Sequence, residues 1–74
     1  MGIIVEDKDS VPTLNSLLSE YGEYIIGRMG LPYRQKGISI ISVIIDAELN
    51  TISSLSGKLG RLSGVTAKTT YSKK

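Results

Sequence analysis

Apolar residues along this chain fall into two rhythms. Leu14, Leu17, Leu18 and Tyr21 recur three or four positions apart, with Val11 leading in, which is the spacing of one helix face. Ser10 is placed as the N-cap, Pro12 lies in the first turn where its missing N–H is harmless, and Gly22 is a natural stop. The pattern predicts a helix over Val11–Tyr21. Leu49, Ile52, Leu55, Leu59 and Leu62 repeat the rhythm and predict a second helix, with Gly60 and Gly64 marking its end. Between and around these lie runs rich in β-branched residues: Gly2–Val5, Tyr24–Leu31, Ile38–Ala47 and Val65–Tyr71. Gly27 and Gly30 suggest a bulge in the second run, and the polar stretch Pro32–Gly37 joins it to the third as a long hairpin. Ser72–Lys74 reads as a solvated tail. The order strand, helix, strand, strand, helix, strand predicts an α+β fold, a ferredoxin-like βαββαβ sandwich. Its four-stranded antiparallel sheet would carry two helices on one face.

The third run breaks the rule for such a sheet. A strand covered on one side only should alternate apolar and polar. Here Ile41, Val43 and Ile45 fall on one face with Ser39, while Ile38, Ile40 and Ile44 fall on the other with Ser42. Both faces are greasy, and the helices can cover only one. A surplus apolar face marks an association surface. Ile38, Ile40, Ile41, Val43, Ile44 and Ile45 are therefore the candidate interface of a homodimer or higher homo-oligomer, packed sheet on sheet or edge on edge.

Composition strengthens that expectation. With 74 residues the chain has room for one domain, 1–74, and a core of this size usually needs a staple. It contains no cysteine and no histidine, so a disulfide is excluded and a zinc, nickel or copper site loses its usual ligands. No run resembles a calcium loop. No apolar run has membrane length and no secretory signal is present, so no membrane role is expected and a cytoplasmic location is the default. The net charge of +2 says little about nucleic acid, because the basic groups are scattered.

Candidate chemistry is sparse. None of the ten serines sits in a Gly-x-Ser-x-Gly setting, and the carboxylates lie mostly in turns and near helix starts. No catalysis and no cofactor is expected. The glycines of Gly57–Gly64 stand at a helix end and lack the order of a phosphate loop, so Lys58 and Arg61 read as complements to the helix dipole. Arg28, Gly30, Tyr33 and Arg34 are the best binding candidates, since an arginine at a strand end can take a carboxylate or phosphate. A Pro turn with solvated arginines explains them equally well. An RNA-recognition fold shares the strand order, but the first and third strands lack aromatics to stack bases.

Several segments resemble known families. DSVPTL at 9–14 is similar to the Asp-x-Pro-Gly-x-Leu opening of ACT domains, and LSGV at 62–65 resembles the end of their second helix. GRMGLPYR at 27–34, KGISIISVIID at 36–46 and SGKLGRLSGVTAK at 56–68 look like the iron-only hydrogenase system regulators. That family has an ACT-like fold related to the C-terminal domain of the nickel-responsive repressor. The resemblance implies a cytoplasmic regulator that assembles through its sheets, with a protein of the hydrogenase system as a further partner. By analogy with ACT domains it adds Asp9, Pro12 and Thr13 to the binding candidates, for a small anionic ligand at a subunit boundary. Thr13 stands where those domains have glycine and narrows that approach. The repressor's His and Cys ligands are missing, so nickel sensing does not carry over. Its DNA-binding segment has no counterpart ahead of Met1, which leaves direct DNA binding without support. A pure assembly module with no small-molecule ligand is the alternative reading.

Overall fold

A computed structural model describes residues 1–72 and bears out the ferredoxin-like α+β fold. The strands are β1 (Gly2–Val5), β2 (Ile25–Tyr33), β3 (Ile38–Ile45) and β4 (Val65–Lys68); the helices are α1 (Val11–Glu20) and α2 (Leu49–Gly60). All strand pairs are antiparallel, in the order β2-β3-β1-β4. Both helices lie on one face. Ile3, Val5, Ile41, Val43 and Val65 point from the sheet into the core, where Leu14, Leu18, Tyr21, Leu55 and Leu59 meet them.

Several boundaries differ from the sequence expectation, each for a local reason. Gly22 does not adopt a left-handed conformation; α1 ends at Glu20 with Tyr21 as its C-cap, and the chain runs on into a single 3-10 turn, Gly22–Tyr24. β2 continues through Pro32 to Tyr33 because it is an edge strand, where a missing N–H breaks no ladder bond. The bulge lies between Ile25 and Gly27 and leaves Ile26 unpaired, whereas Gly30 sits in regular register opposite Ile41. The hairpin closes on a 3-10 turn, Arg34–Lys36, with Gly37 left-handed at φ 65°. β3 stops at Ile45 and β4 at Lys68, both short of their expected ends. Leu49, expected on the α2 stripe, is the first helical residue and is exposed; Leu62 lies beyond the helix yet packs against the core. Of the expected tail, Lys73 and Lys74 lie outside the described residues.

Ser10 also has a different task. Its hydroxyl makes no capping bond; it donates to the Ser63 carbonyl at 2.7 Å. The loop after β1 is tied to the turn before β4 a second time, by the Glu6 N–H on the Gly64 carbonyl at 2.7 Å. Ser10 is buried, so its removal leaves the Ser63 carbonyl without that donor. Ser10→Ala is expected to destabilise the fold by about 1–2 kcal/mol in urea unfolding, with the slope of the transition unchanged.

Candidate functional site

The helix-free face of the sheet is the most unusual surface of the molecule. Register defines its members. Tyr33, Leu31, Met29 and Gly27 of β2 stand opposite Ile38, Ile40, Ser42 and Ile44 of β3. On the other side of β3, Ile40 and Ser42 pair with Ile4 and Gly2 of β1, and these in turn with Thr66 and Lys68 of β4. Directly opposite residues share a face. Met29 is 71% exposed, Leu31 64% and Ile44 60%; Ile4, Tyr33 and Ile40 are exposed as well. One charged residue, Lys68, belongs to this face, and it lies at the β4 margin. Toward β2 the apolar surface runs to the edge without a polar border.

This placement divides the six candidate interface residues of β3. Ile41 and Val43 point under the helices at 7% and 1% exposure, and Ile45 packs against the same core. A partner cannot reach Ile41 or Val43 in the folded chain, so they leave the candidate surface. Ile38, Ile40 and Ile44 remain. Sequence reasoning missed Met29, Leu31 and Tyr33, because the glycines, Pro32 and the bulge obscure the alternation of β2, and it missed Ile4 of β1, whose place beside Ile40 is set by a non-local ladder. The signal was present in the turn: a hairpin closed by residues 34–37 sets Met29 opposite Ser42 and Leu31 opposite Ile40.

The seven binding candidates do not converge. Arg28 and Gly30 lie on the helix side of β2, as the period of two requires, and the Arg28 guanidinium donates to Asn15 Oδ1 of α1 at 2.8 Å. Tyr33 is on the opposite face. Pro12 and Thr13 are exposed in the first turn of α1. Only Asp9 and Arg34 share a cleft, an open one of about 600 Å³ between the β1–α1 loop and the hairpin turn. Glu6, Asp7 and Lys8 line it too, so carboxylates outnumber cations and oppose an anion. A second cleft, of about 430 Å³, lies between the end of β3, Met1 and residues 69–72. Among the described residues no group of His, Cys, Asp and Glu is placed to hold a metal ion. No helix among them is long and apolar enough to cross a membrane.

One polar cluster links the helices. The Tyr21 hydroxyl lies 3.1 Å from Ser54 Oγ, and Lys58 Nζ stands 5.1 Å from the Tyr21 ring centre. Hydrogen bonding to Ser54, then to Lys58, lowers the Tyr21 pKa, and Tyr21 in turn raises that of Lys58. The charge of Glu23 is the main cause that raises Tyr24. Tyr21 is buried and neither cleft includes it, so the cluster braces α1 against α2. The signs can be followed in alkali. Lowering Tyr21 adds stability above the ordinary phenol pKa, and this is lost as pH falls through the lowered value. Raising Tyr24 and Lys58 adds stability that is lost as pH rises through their raised values. Phenolate absorbance should show Tyr21 ionising before Tyr24. Lys58→Met should move the Tyr21 step upward and leave Tyr24 in place.

Comparison with known proteins bears on the whole chain. Residues 1–69 match a family described as "TM1266-like: Iron-only hydrogenase system regulator, putative". The fold is similar to a solved structure titled as that of uncharacterized protein TM1266 from Thermotoga maritima, with a TM-score of 0.87 and 37% identity over 90% of this chain and 85% of that one. No curated protein matches. A family match that runs through every strand and both helices, joined to this structural likeness, means that the chain belongs to the TM1266-like family of iron-only hydrogenase system regulators.

Proposed function

We propose that this chain is a non-enzymatic regulatory domain of an iron-only hydrogenase system, and that it acts as a homo-oligomer assembled through the helix-free face of its sheet. The observation that carries the reading is the row of exposed apolar side chains on that face: Met29, Leu31, Tyr33, Ile40, Ile44 and Ile4. Solvent exposure of that much contiguous apolar surface is unfavourable for a monomer. A second copy is the fitting occupant. The face is almost uncharged, so two copies meet without like-charge repulsion, and a charged partner finds little to pair with. The area agrees. The chain exposes 5311 Å², whereas a compact monomer of 8.0 kDa exposes ~4,450 Å². The surplus is comparable to the ~800 Å² that each partner gives to a standard interface.

Between sensing and pure assembly, the geometry favours assembly. The candidate ligand residues are dispersed over both faces, and the one cleft that holds two of them carries three carboxylates against two cations. Absence of cysteine and histidine removes the commonest catalytic groups. The regulated partner would be a protein of the same hydrogenase system.

Sedimentation over a range of concentrations tests the reading. A mass at least twice that of the chain at micromolar concentration is expected, and a monomer throughout would overturn it. A thermal-shift screen with amino acids, nucleotides and divalent metals addresses the ligand. A binder specific for the folded state must raise the melting temperature; such a rise would restore the sensing form of the regulator.

A further inference from the structure

β1 is shorter than the two chain segments that flank it, and this leaves a gap in the plane of the sheet. Val43 exchanges backbone bonds with Met1, at 2.7 and 2.8 Å, at the head of β1. On one side β3 runs on through Ile44 and Ile45. On the other, Gly2 pairs with Lys68, so the chain after β4 runs on past Met1 through Thr70 and Tyr71. Two strands that share a neighbour stand ~9.5 Å apart, which is room for one strand between them. The cleft of about 430 Å³ is that room, and no described residue fills it.

The walls of the gap carry backbone groups whose direction can be assigned, because direction alternates along an antiparallel ladder. The Asp46 N–H donates to the Tyr24 carbonyl at 2.8 Å, toward β2. Ile45, like Val43, therefore turns its N–H and C=O the other way, into the gap. Met1 turns toward β3, so Gly2 and Lys68 turn toward each other, Thr69 turns outward and Thr70 inward. The charged Met1 nitrogen closes the inner end. Three N–H donors thus converge: those of Ile45 and Thr70 and the Met1 ammonium. Thr69 follows Val65 and Ala67 on the core face, beside Ile52, and its Oγ1 is buried without a hydrogen-bond partner among the described residues. Asp46 stands at the outer end.

We propose that this gap binds the carboxyl-terminal end of an extended peptide, laid in line with β1 as an added piece of strand. Chain direction selects an end. A strand antiparallel to both β3 and β4 runs toward Met1, and β1 bars its way, so the entering chain must stop there with its carboxylate foremost. With the last residue opposite Ile45, the Ile45 carbonyl accepts its N–H, and the Ile45 N–H donates to the carboxylate. One residue length, ~3.3 Å, then separates the carboxylate from the Met1 nitrogen, which is the reach of a charge-assisted contact. The Thr70 N–H faces the same carboxylate. The last side chain falls on the core face, where a hydroxyl gives Thr69 Oγ1 its missing partner. The residue before it lies opposite Asp46 on the helix-free face, so a cation is favoured there. This site goes beyond the assembly reading and needs no second copy.

The probe is the peptide acetyl-Gly-Lys-Thr with a free carboxylate, titrated to millimolar concentration into isotope-labelled protein. Amide shifts centred on Ile45 and Thr70 are expected in the NMR spectrum. The carboxamide form of the peptide should bind at least about tenfold more weakly, because it brings no charge to the Met1 ammonium. Thr69→Val removes an unpartnered hydroxyl, so it should fold as stably as the wild type, yet bind the peptide about fivefold more weakly. Three residues added ahead of Met1 would lie in the same gap and should abolish the shifts. Silence at Ile45 and Thr70 in millimolar peptide overturns the proposal. So does equal binding of the acid and the carboxamide, or binding that survives the added residues. Full affinity in Thr69→Val overturns the placement of the last side chain on the core face.

Discussion

Replacing Gly64 with alanine is expected to lower the melting temperature by more than ~12 °C, from a loss of about 3 kcal/mol. Two independent effects add at this position. Gly64 has φ +67°, in the left-handed region where a Cβ is strained. A Cβ there would also stand 2.7 Å from Asp7 Cβ and 2.8 Å from Asp7 N. These are atoms of a loop anchored by the Glu6–Gly64 and Ser10–Ser63 bonds, so the backbone must move to make room. Gly57→Ala is the internal control. Gly57 lies within α2 and a Cβ there meets nothing, so the same chemical change should stabilise by about 0.5–1 kcal/mol. Thermal denaturation of the two variants should move in opposite directions. Equal melting temperatures would mean that the close approach of the two loops does not govern stability.

The second large effect concerns neighbouring residues of β3. Ile44→Glu is expected to leave the protomer folded and to weaken sheet-face association by ~10⁴-fold or more, because each of the two copies would bury an unpaired carboxylate at about 3–5 kcal/mol. Val43→Glu should instead unfold the chain, since Val43 is 1% exposed inside the core. Circular dichroism reports the fold and sedimentation reports the mass. A folded Val43→Glu protein, or an Ile44→Glu protein that assembles as tightly as the wild type through that face, would contradict the assignment of the two faces.

These contrasts show how far local sequence carries. The doubled apolar character of β3 is legible from a period of two alone. Which face is free is not, because Ile41 and Ile44 differ only in where the helices land. The contributions of Ile4 and Met29 depend on strand pairing: one is set by a non-local ladder, the other by a hairpin whose bulge hides the alternation. The motifs that carry the ACT resemblance turn out to touch each other. Ser10 of DSVPTL bonds to Ser63 of LSGV, and Gly64 abuts Asp7. Their spacing reflects a seam between two loops, and that seam leaves the ligand candidates Pro12 and Thr13 at the surface. Arg28 shares a face with Gly30, as a period of two requires, but its partner Asn15 lies on another element and could not be read from the strand.

The short last strand has a consequence for growth. An aggregate forms when pairing of open strand edges from one molecule to the next has no end. β4 has only four residues, and along it Val65 and Ala67 on the core face alternate with Thr66 and Lys68 on the helix-free face. A brief outer strand carrying a lysine is a poor template for further addition. That end of the sheet therefore resists addition of a further strand, and growth of the sheet beyond β4 is blocked there.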